Sequence, residues 1–307
     1  MSAVSIAPSG IALLPPRSLL RRKRLRIPQN WRRREAGQSE QNRIMQRSWA
    51  RPQSANIIAF MEHHFSSSIP ALWYAGPIPH ADGAIRLEAD EARHARALRL
   101  AVGDRAILLD GKGRKIEAEV VAWEKSGPLL RCLNNLLESD AGWPYIALGF
   151  GMIDDRSRVE WLVEKSVELG VRELLPIRTQ RSEGHLHRER LLRVAVAALK
   201  QSQRSYLPLL HQPTTLVQAL RHSTDPLILC HEQRVGQQTL NQALQQHGGN
   251  RTMLLIGPEG GFTEAEVAEA EAAGALVATL GPARLRAETA AIAAAAIAGH
   301  QLLEHRS

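Results

Sequence analysis

Hydrophobic residues follow one pattern up to about residue 140 and a different pattern after it. From residue 69 to about residue 137, short alternating stretches are separated by Gly and Asp turns, which is typical of short strands. The turn at residues 110–113 (DGKG) joins two of these stretches and predicts a hairpin. Residues 88–100 instead have the spacing of a helix that ends near Val102-Gly103. We therefore predict a small β-barrel over residues 69–140, with one helical insert.

After a polar segment at residues 138–144, strand-like runs alternate with helical runs. The predicted strands contain YIALGFGM, VRELLPI, PLILC, TMLLIG and ALVATLG, and RERLLRVAVAALKQS is a predicted helix. A further helix is predicted over FTEAEVAEAEAAG, since Thr263 and Glu266 form a capping box and Gly274 stands at its end. This alternation favours an α/β domain over residues 141–307, in which helices cover a parallel sheet.

The net charge of +8 is concentrated at the beginning of the chain. Residues 1–60 contain 12 Lys and Arg residues but only two acidic residues, whereas residues 61–307 contain 27 basic and 29 acidic residues. Residues 1–68 are therefore predicted to be a basic extension without packed structure. It is interpreted as an RNA-binding tail, a targeting peptide or sequence upstream of the true start, and we favour the last, with Met61 or Met45 as the start.

Two Gly-Pro loops are the strongest candidates for chemistry. In LLIGPEGGFTEAEV a buried strand runs into a glycine-rich turn and then a capped helix, and LGPARLRAETA repeats this order. Ligands of open α/β sheets bind at such strand ends, where glycines allow close approach of the backbone. The alternative is a tight connection with no ligand. Neither GxGxxG nor GxxxxGK[ST] is present, so dinucleotide and P-loop sites are not indicated.

Seven sequence blocks together resemble one family. They are EARHARALRLAVGD, DGKG, EKSVELGV, PIRTQRSE, KQSQRSYLP, IGPEGGFTEAEV and LGPARLRAETA. The chain resembles the RsmE-type ribosomal RNA (uracil-N3) methyltransferases of the SPOUT superfamily from about Trp73 to its end. The resemblance implies a PUA-like barrel, an α/β domain with a trefoil knot, a cytoplasmic homodimer and S-adenosylmethionine as cofactor. It also implies a uridine of 16S rRNA as substrate, within an assembled small subunit.

The resemblance assigns roles to individual residues. Arg286 and Glu288 are the candidate catalytic residues, as the group that stabilises the uracil anion and the nearest candidate base, although Glu288 could simply cap a helix. The cofactor residues are Leu229, Cys230, His231, Glu232, Ile256, Gly257, Pro258, Glu259, Gly260, Gly261, Leu280, Gly281, Leu285 and Thr289. The RNA-binding residues are Arg99, Arg178, Arg181, Arg204 and Arg284.

Three residues depart from the family pattern. Ala287 replaces a Thr of the usual LRTETA block, Lys200 replaces a common acidic residue, and Asp154 replaces a frequent Lys. Ala287 motivates a rival interpretation, in which the chain is an RNA-binding assembly factor without activity. A second rival is a SPOUT enzyme that acts on ribose or on transfer RNA.

The sequence gives little support for a metal site, a disulfide framework or a membrane span. The histidines lack partners at ligand spacing, so no metal site is expected. Cys132 and Cys230 are far apart, which favours a reducing compartment over a disulfide framework. The apolar stretches are too short to predict a membrane span.

Overall fold

The computed structural model describes residues 69–76, 83–87, 89–137, 143–232 and 238–304, which belong to one compact unit of the chain. The basic extension predicted over residues 1–68, with its candidate starts Met45 and Met61, lies outside the described residues.

The first part of the described chain forms a five-stranded sheet, here called the N-terminal sheet. Its strand order is β1-β3-β4-β5-β2, with β1 parallel to β3 and the other pairs antiparallel. Its elements are β1 (Ala71–Trp73), β2 (Ala84–Arg86), α1 (Ala89–Ala97), β3 (Arg105–Leu109), β4 (Arg114–Trp123) and β5 (Pro128–Leu137). The hairpin predicted at residues 110–113 is confirmed, because β3 and β4 pair across that turn. Ile116, Ala118 and Val120 of β4 are fully buried, as period-2 alternation requires.

The second part forms a parallel sheet, here called the C-terminal sheet. Its order is β12-β10-β11-β6-β7-β8, and β9 also pairs with β7. The strands are β6 (Tyr145–Gly151), β7 (Glu173–Arg178), β8 (Leu209–Leu210), β9 (Thr214–Thr215), β10 (Leu227–Cys230), β11 (Arg251–Ile256) and β12 (Leu276–Ala278). The helices are α2 (Arg156–Glu168), α3 (Arg188–Ser202), α4 (Leu216–His222), α5 (Leu240–His247), α6 (Glu264–Ala272) and α7 (Ala287–Glu304). The predicted α/β fold with a parallel sheet is confirmed.

Helices cover both faces of the C-terminal sheet. Leu254 and Ile256 of β11 belong to a core that α2, α3, α5 and α7 complete. Met253 and Leu255 point to the opposite core, which is completed by α4 and α6. Since both faces are buried, the strands are nearly continuous apolar runs rather than alternating ones.

Local capping signals set several helix ends. The capping box of Thr263 and Glu266 starts α6 as predicted, and Gly274 follows the helix at φ +89°. Similar boxes, Thr215 with Gln218 and Thr239 with Gln242, start α4 and α5. The sequence pattern did not single out these two helices, although the same T-x-x-Q spacing could have located both.

The strand order places β10 between β11 and β12, so the connection through α6 carries the chain past β10. Strand order does not define how a chain threads its own loops, and the trefoil knot therefore stays a prediction. No helix among the described residues is long and apolar enough to cross a membrane.

The final helix, α7, packs through small side chains. Ala291, Ala294, Ala295 and Ala298 are fully buried in the core that includes β6 and β11. Alanine at these positions lets the helix backbone lie close to the strands.

We expect Ala294→Leu to destabilise the chain by about 1–3 kcal/mol, because the added atoms have no space in a filled core. The matched control is Ala268→Leu on α6, where the side chain is exposed, and it should change stability by less than about 0.5 kcal/mol. Urea unfolding measures both. Equal stability of the two variants would mean that α7 is not tightly packed.

Candidate functional site

Three neighbouring strands of the C-terminal sheet end at the same level. Cys230 at the end of β10 pairs with Ile256 at the end of β11 and with Ala278 at the end of β12. The loops that follow these strands surround a cavity of about 520 Å³. This volume lies within the usual range of small-molecule sites.

Most of the residues predicted to bind a cofactor line this cavity. They are Cys230, His231, Glu232, Ile256, Gly257, Pro258, Glu259, Gly260, Gly261, Leu280, Gly281 and Leu285. Leu229 and Thr289 do not line it: Leu229 is fully buried in β10, and Thr289 is exposed on α7. The structure thus brings together the three segments that the sequence resemblance named.

The loop at residues 257–261 is tightly folded on its own backbone. A Cβ atom on Gly257 would lie 3.0 Å from the main chain of Gly261 and Phe262. Gly261 has φ +67°, and its N–H donates to Pro258 O at 2.8 Å. Gly261, and not Gly260, is therefore the residue whose backbone conformation favours glycine.

Gly260 is constrained by a neighbouring arginine. Its Cβ would lie 3.1 Å from the side chain of Arg181, whose Nη1 donates to Gly260 O at 2.8 Å. Arg181 also lines the cavity. Among the predicted RNA-binding residues, Arg181 is thus held directly against the glycine loop.

Glu266 connects the loop of Arg181 to the loop of the glycines. Its carboxylate accepts Gln180 N–H at 2.8 Å and Thr263 N–H at 2.9 Å, and the side chain is buried. The sequence identified Glu266 only as a helix cap. Its second partner comes from a segment 86 residues away, which no local spacing could have revealed.

Glu288 lies in the first turn of α7 and is almost completely buried. Oε1 is 3.7 Å from Nε of Arg158, and Oε2 has no hydrogen-bond partner within the described residues. Arg158 also approaches Glu259 of the glycine loop, with 3.5 Å between Nη1 and Oε1. Glu288 does not line the cavity, although Ala287 beside it does. Arg158, which the sequence did not suggest, therefore links the glycine loop to the first turn of α7.

Two exposed arginines of the last loop line the cavity. Arg284 has 76% of its side chain exposed and lies 3.4 Å from Glu232. Arg286 is exposed as well, and no ion pair to it is found in the described parts of the chain. Ala287, the departure from the family pattern, is buried at the base of this loop.

The other predicted RNA-binding residues lie away from the cavity lining. Arg204 donates from Nε and Nη2 to Glu168 O at 3.0 and 2.9 Å, so it caps the end of α2, and it stacks 4.3 Å from the Trp143 ring. Arg178 donates to Pro213 O at 3.3 Å. Arg99 follows α1 in the N-terminal part, with φ +58°. The positive charge of Arg204 at the C-terminal end of α2 also interacts favourably with the dipole of that helix.

The two other departures from the family pattern also lie outside the cavity lining. Lys200 pairs with Glu91 at 2.7 Å, and Asp154 is exposed before α2. Both cysteines are buried, and burial raises the pKa of Cys230 to about 12. Among the residues that the structure describes, no group of three or more His, Cys, Asp and Glu side chains could hold a metal ion.

Two family models of RNA methyltransferases match the sequence. A family model described as "RNA methyltransferase domain" matches residues 142–299, and one described as "RNA methyltransferase PUA domain" matches residues 87–130. The chain is 28% identical over 228 residues to the ribosomal RNA small subunit methyltransferase E of Bacillus subtilis. That alignment covers 69% of this chain and 88% of the relative.

Two solved structures have the same fold. The ribosomal RNA small subunit methyltransferase E of Neisseria gonorrhoeae, bound to S-adenosyl methionine, superposes with a TM-score of 0.67 at 27% identity, over 74% of this chain and 95% of that one. A probable rRNA-methyltransferase from Porphyromonas gingivalis superposes with a TM-score of 0.67 at 30% identity, with the same coverage. Together with the seven sequence blocks, these matches show that the chain belongs to the RNA methyltransferase domain family, in its RsmE-type branch.

Proposed function

We propose that the chain transfers the methyl group of S-adenosylmethionine to N3 of one uridine in 16S ribosomal RNA. The observation that carries the proposal is the cavity formed by three loops at adjacent strand ends, in a chain of this family. In this proposal, residues 69–140 bind the RNA and residues 141–307 carry out the methyl transfer.

The residues around the cavity fit this cofactor. Ile256, Leu280 and Leu285 offer apolar side chains, while the loop at residues 257–261 offers backbone polar groups. These residues would hold the adenosine, and the charged group of Glu232 lies in the same lining for the polar end of the molecule. When bound, S-adenosylmethionine supplies an electrophilic methyl group.

The uracil N3 atom carries a proton and becomes nucleophilic as this proton leaves. Negative charge then spreads over the two flanking carbonyl oxygens, and a positioned cation lowers the energy of that state. Arg286 is suited to the task because it lines the cavity, is exposed, and has no ion-pair partner in the described segments. Glu288 is the candidate base, since one of its carboxylate oxygens accepts no hydrogen bond from described residues.

The substrate is proposed to be the RNA of an assembled small subunit in the cytoplasm. A uridine must leave its stack to reach a cavity of this kind. Arg284 and Arg181 would meet RNA at the cavity, and Arg99 and Arg178 would contact it further away. For Arg204, the cap on α2 favours an indirect contribution, because two of its donors are occupied by Glu168.

A homodimer is part of the proposal. In residues 143–304, large apolar side chains that are about two-fifths exposed include Trp161 on α2, Leu303 on α7 and Trp143 before β6. Since α2 and α7 pack against each other, these helices offer a surface that a second copy of the chain could cover. Sedimentation showing a fully active monomer would remove this part of the proposal.

We expect Arg286→Ala to leave the affinity for S-adenosylmethionine within a few-fold of wild type and to slow methyl transfer by roughly 10²-fold, the scale of losing one donor to a developing anion. Arg286→Lys should recover part of the rate, because a point charge does not reproduce the planar guanidinium. Isothermal titration measures binding, and single-turnover transfer to purified small subunits measures the rate.

Two variants separate the roles of the loops in the same assays. Arg284→Ala is the matched control in the same loop and should slow transfer much less than Arg286→Ala. Gly257→Ala should weaken cofactor binding itself, since its Cβ meets backbone atoms at 3.0 Å. Near wild-type transfer by Arg286→Ala would place the anion-stabilising group elsewhere.

Cys230 forms part of the cavity wall as a neutral thiol. Burial raises its pKa from 9.0 to about 12, so the proposed direct transfer to uracil makes no use of a thiolate. Because the folded-state pKa is the higher one, this group stabilises the fold below pH 9, and the contribution is lost as the pH rises from 9 toward 12.

Iodoacetamide should therefore leave Cys230 unmodified in the native chain at pH 8, where almost all of its thiol is protonated. Mass spectrometry after urea unfolding should then show modification of both cysteines, which serves as the control. Rapid native labelling of Cys230 would show that its environment is open and that the thiol ionises.

A further inference from the structure

The N-terminal and C-terminal sheets are joined by backbone hydrogen bonds away from the cavity. The turn between β3 and β4 docks on the segment that follows α3, where Lys112 and Tyr206 form an antiparallel bridge. Gly113 N–H donates to Ser205 O at 3.0 Å, and Leu207 N–H donates to Gly111 O at 2.9 Å. The DGKG and RSYLP blocks thus meet each other, and we call this contact the joint.

The two glycines of the turn are required by the joint. A Cβ on Gly111 would lie 2.7 Å from the Trp73 ring and 3.0 Å from Leu207 Cβ, and one on Gly113 would lie 2.1 Å from the Tyr206 hydroxyl. Both glycines have positive φ, +71° and +101°. The closeness of these contacts leaves little freedom for one sheet to move against the other.

An ion pair between α3 and α1 is a second contact between the two parts of the chain. Lys200 on α3 lies 2.7 Å from Oε1 of Glu91 on α1, and each side chain is 15% exposed. The other oxygen of Glu91 accepts Trp73 N–H at 3.1 Å, so the carboxylate is held at both oxygens. A partly buried pair is sensitive to loss of one partner, because the remaining charge stays desolvated.

Lys200 is also one of the three positions at which the sequence departs from the pattern of the family that it resembles. The departure coincides with an opposite charge on the facing helix α1. Neither residue of the pair lines the cavity.

We propose that Glu91 and Lys200 are positioning residues for the RNA. By fixing the N-terminal sheet on the C-terminal sheet, the pair sets where RNA held by the first sheet presents its uridine to the cavity of the second. The inference rests on the proposed function, since it needs an RNA substrate that spans both sheets. Small misplacements of a reacting group cost large factors in rate, so the joint acts on transfer without touching the cofactor.

The test is a charge swap. Glu91→Lys and Lys200→Glu each place like charges in contact, and each should lower kcat/KM for purified small subunits by about tenfold or more. The affinity for S-adenosylmethionine should stay within about twofold, because the cavity is untouched. The double variant restores the opposite charges and should recover most of kcat/KM.

Two further variants keep the test decisive. Lys200→Met removes the positive charge without introducing repulsion, and it should lower kcat/KM less than Lys200→Glu does. This variant keeps the test available if Lys200→Glu fails to fold. Arg251→Ala breaks an ion pair with Asp225, which lies within the C-terminal part and away from α1, and should leave kcat/KM near wild type.

The outcomes separate the inference from the function on which it rests. Single variants with wild-type kcat/KM, a double variant without recovery, or an equal loss in Arg251→Ala would each overturn the role of the pair. A parallel loss of cofactor affinity would overturn it as well. Absence of any transfer by the wild-type chain would instead overturn the proposed function.

Discussion

The parallel register of β10, β11 and β12 is the constraint on which the rest of the site depends. Cys230 is level with both Ile256 and Ala278, so the three following loops begin at one edge of the sheet and converge on one cavity. A shift of one residue in any strand would turn its apolar side chains to the opposite face and move its loop. The two buried cores on either side of the sheet therefore also determine the position of the cavity.

The loops are then fixed to one another by side chains from elsewhere in the chain. Arg181 lies over Gly260, Glu266 joins the loop of Arg181 to the start of α6, and Arg158 lies between Glu259 and Glu288. A site preorganised in this way needs little rearrangement when charge develops in the transition state. Outside the cavity, the backbone hydrogen bonds of the joint connect the N-terminal sheet to the segment that follows α3.

The sequence predicted the elements of this architecture better than their side-chain partners. Apolar runs and glycine turns located β6, β7, β10, β11 and β12, and the capping box located α6, because each signal is local. The roles of Glu266, Arg158 and Arg204 depend on partners from distant segments, which periodicity does not reveal. Lys200 shows the same limit: the sequence marked it as a departure, and only the fold brings it to Glu91.

The modified nucleoside itself tests the account most directly. Nucleoside mass spectrometry can compare 16S rRNA from a strain that carries the gene with 16S rRNA from a deletion strain. 3-Methyluridine should be lost from the 16S rRNA of the deletion strain and should return when the gene is restored. Unchanged 3-methyluridine, or loss of a ribose-methylated nucleoside in its place, would contradict it.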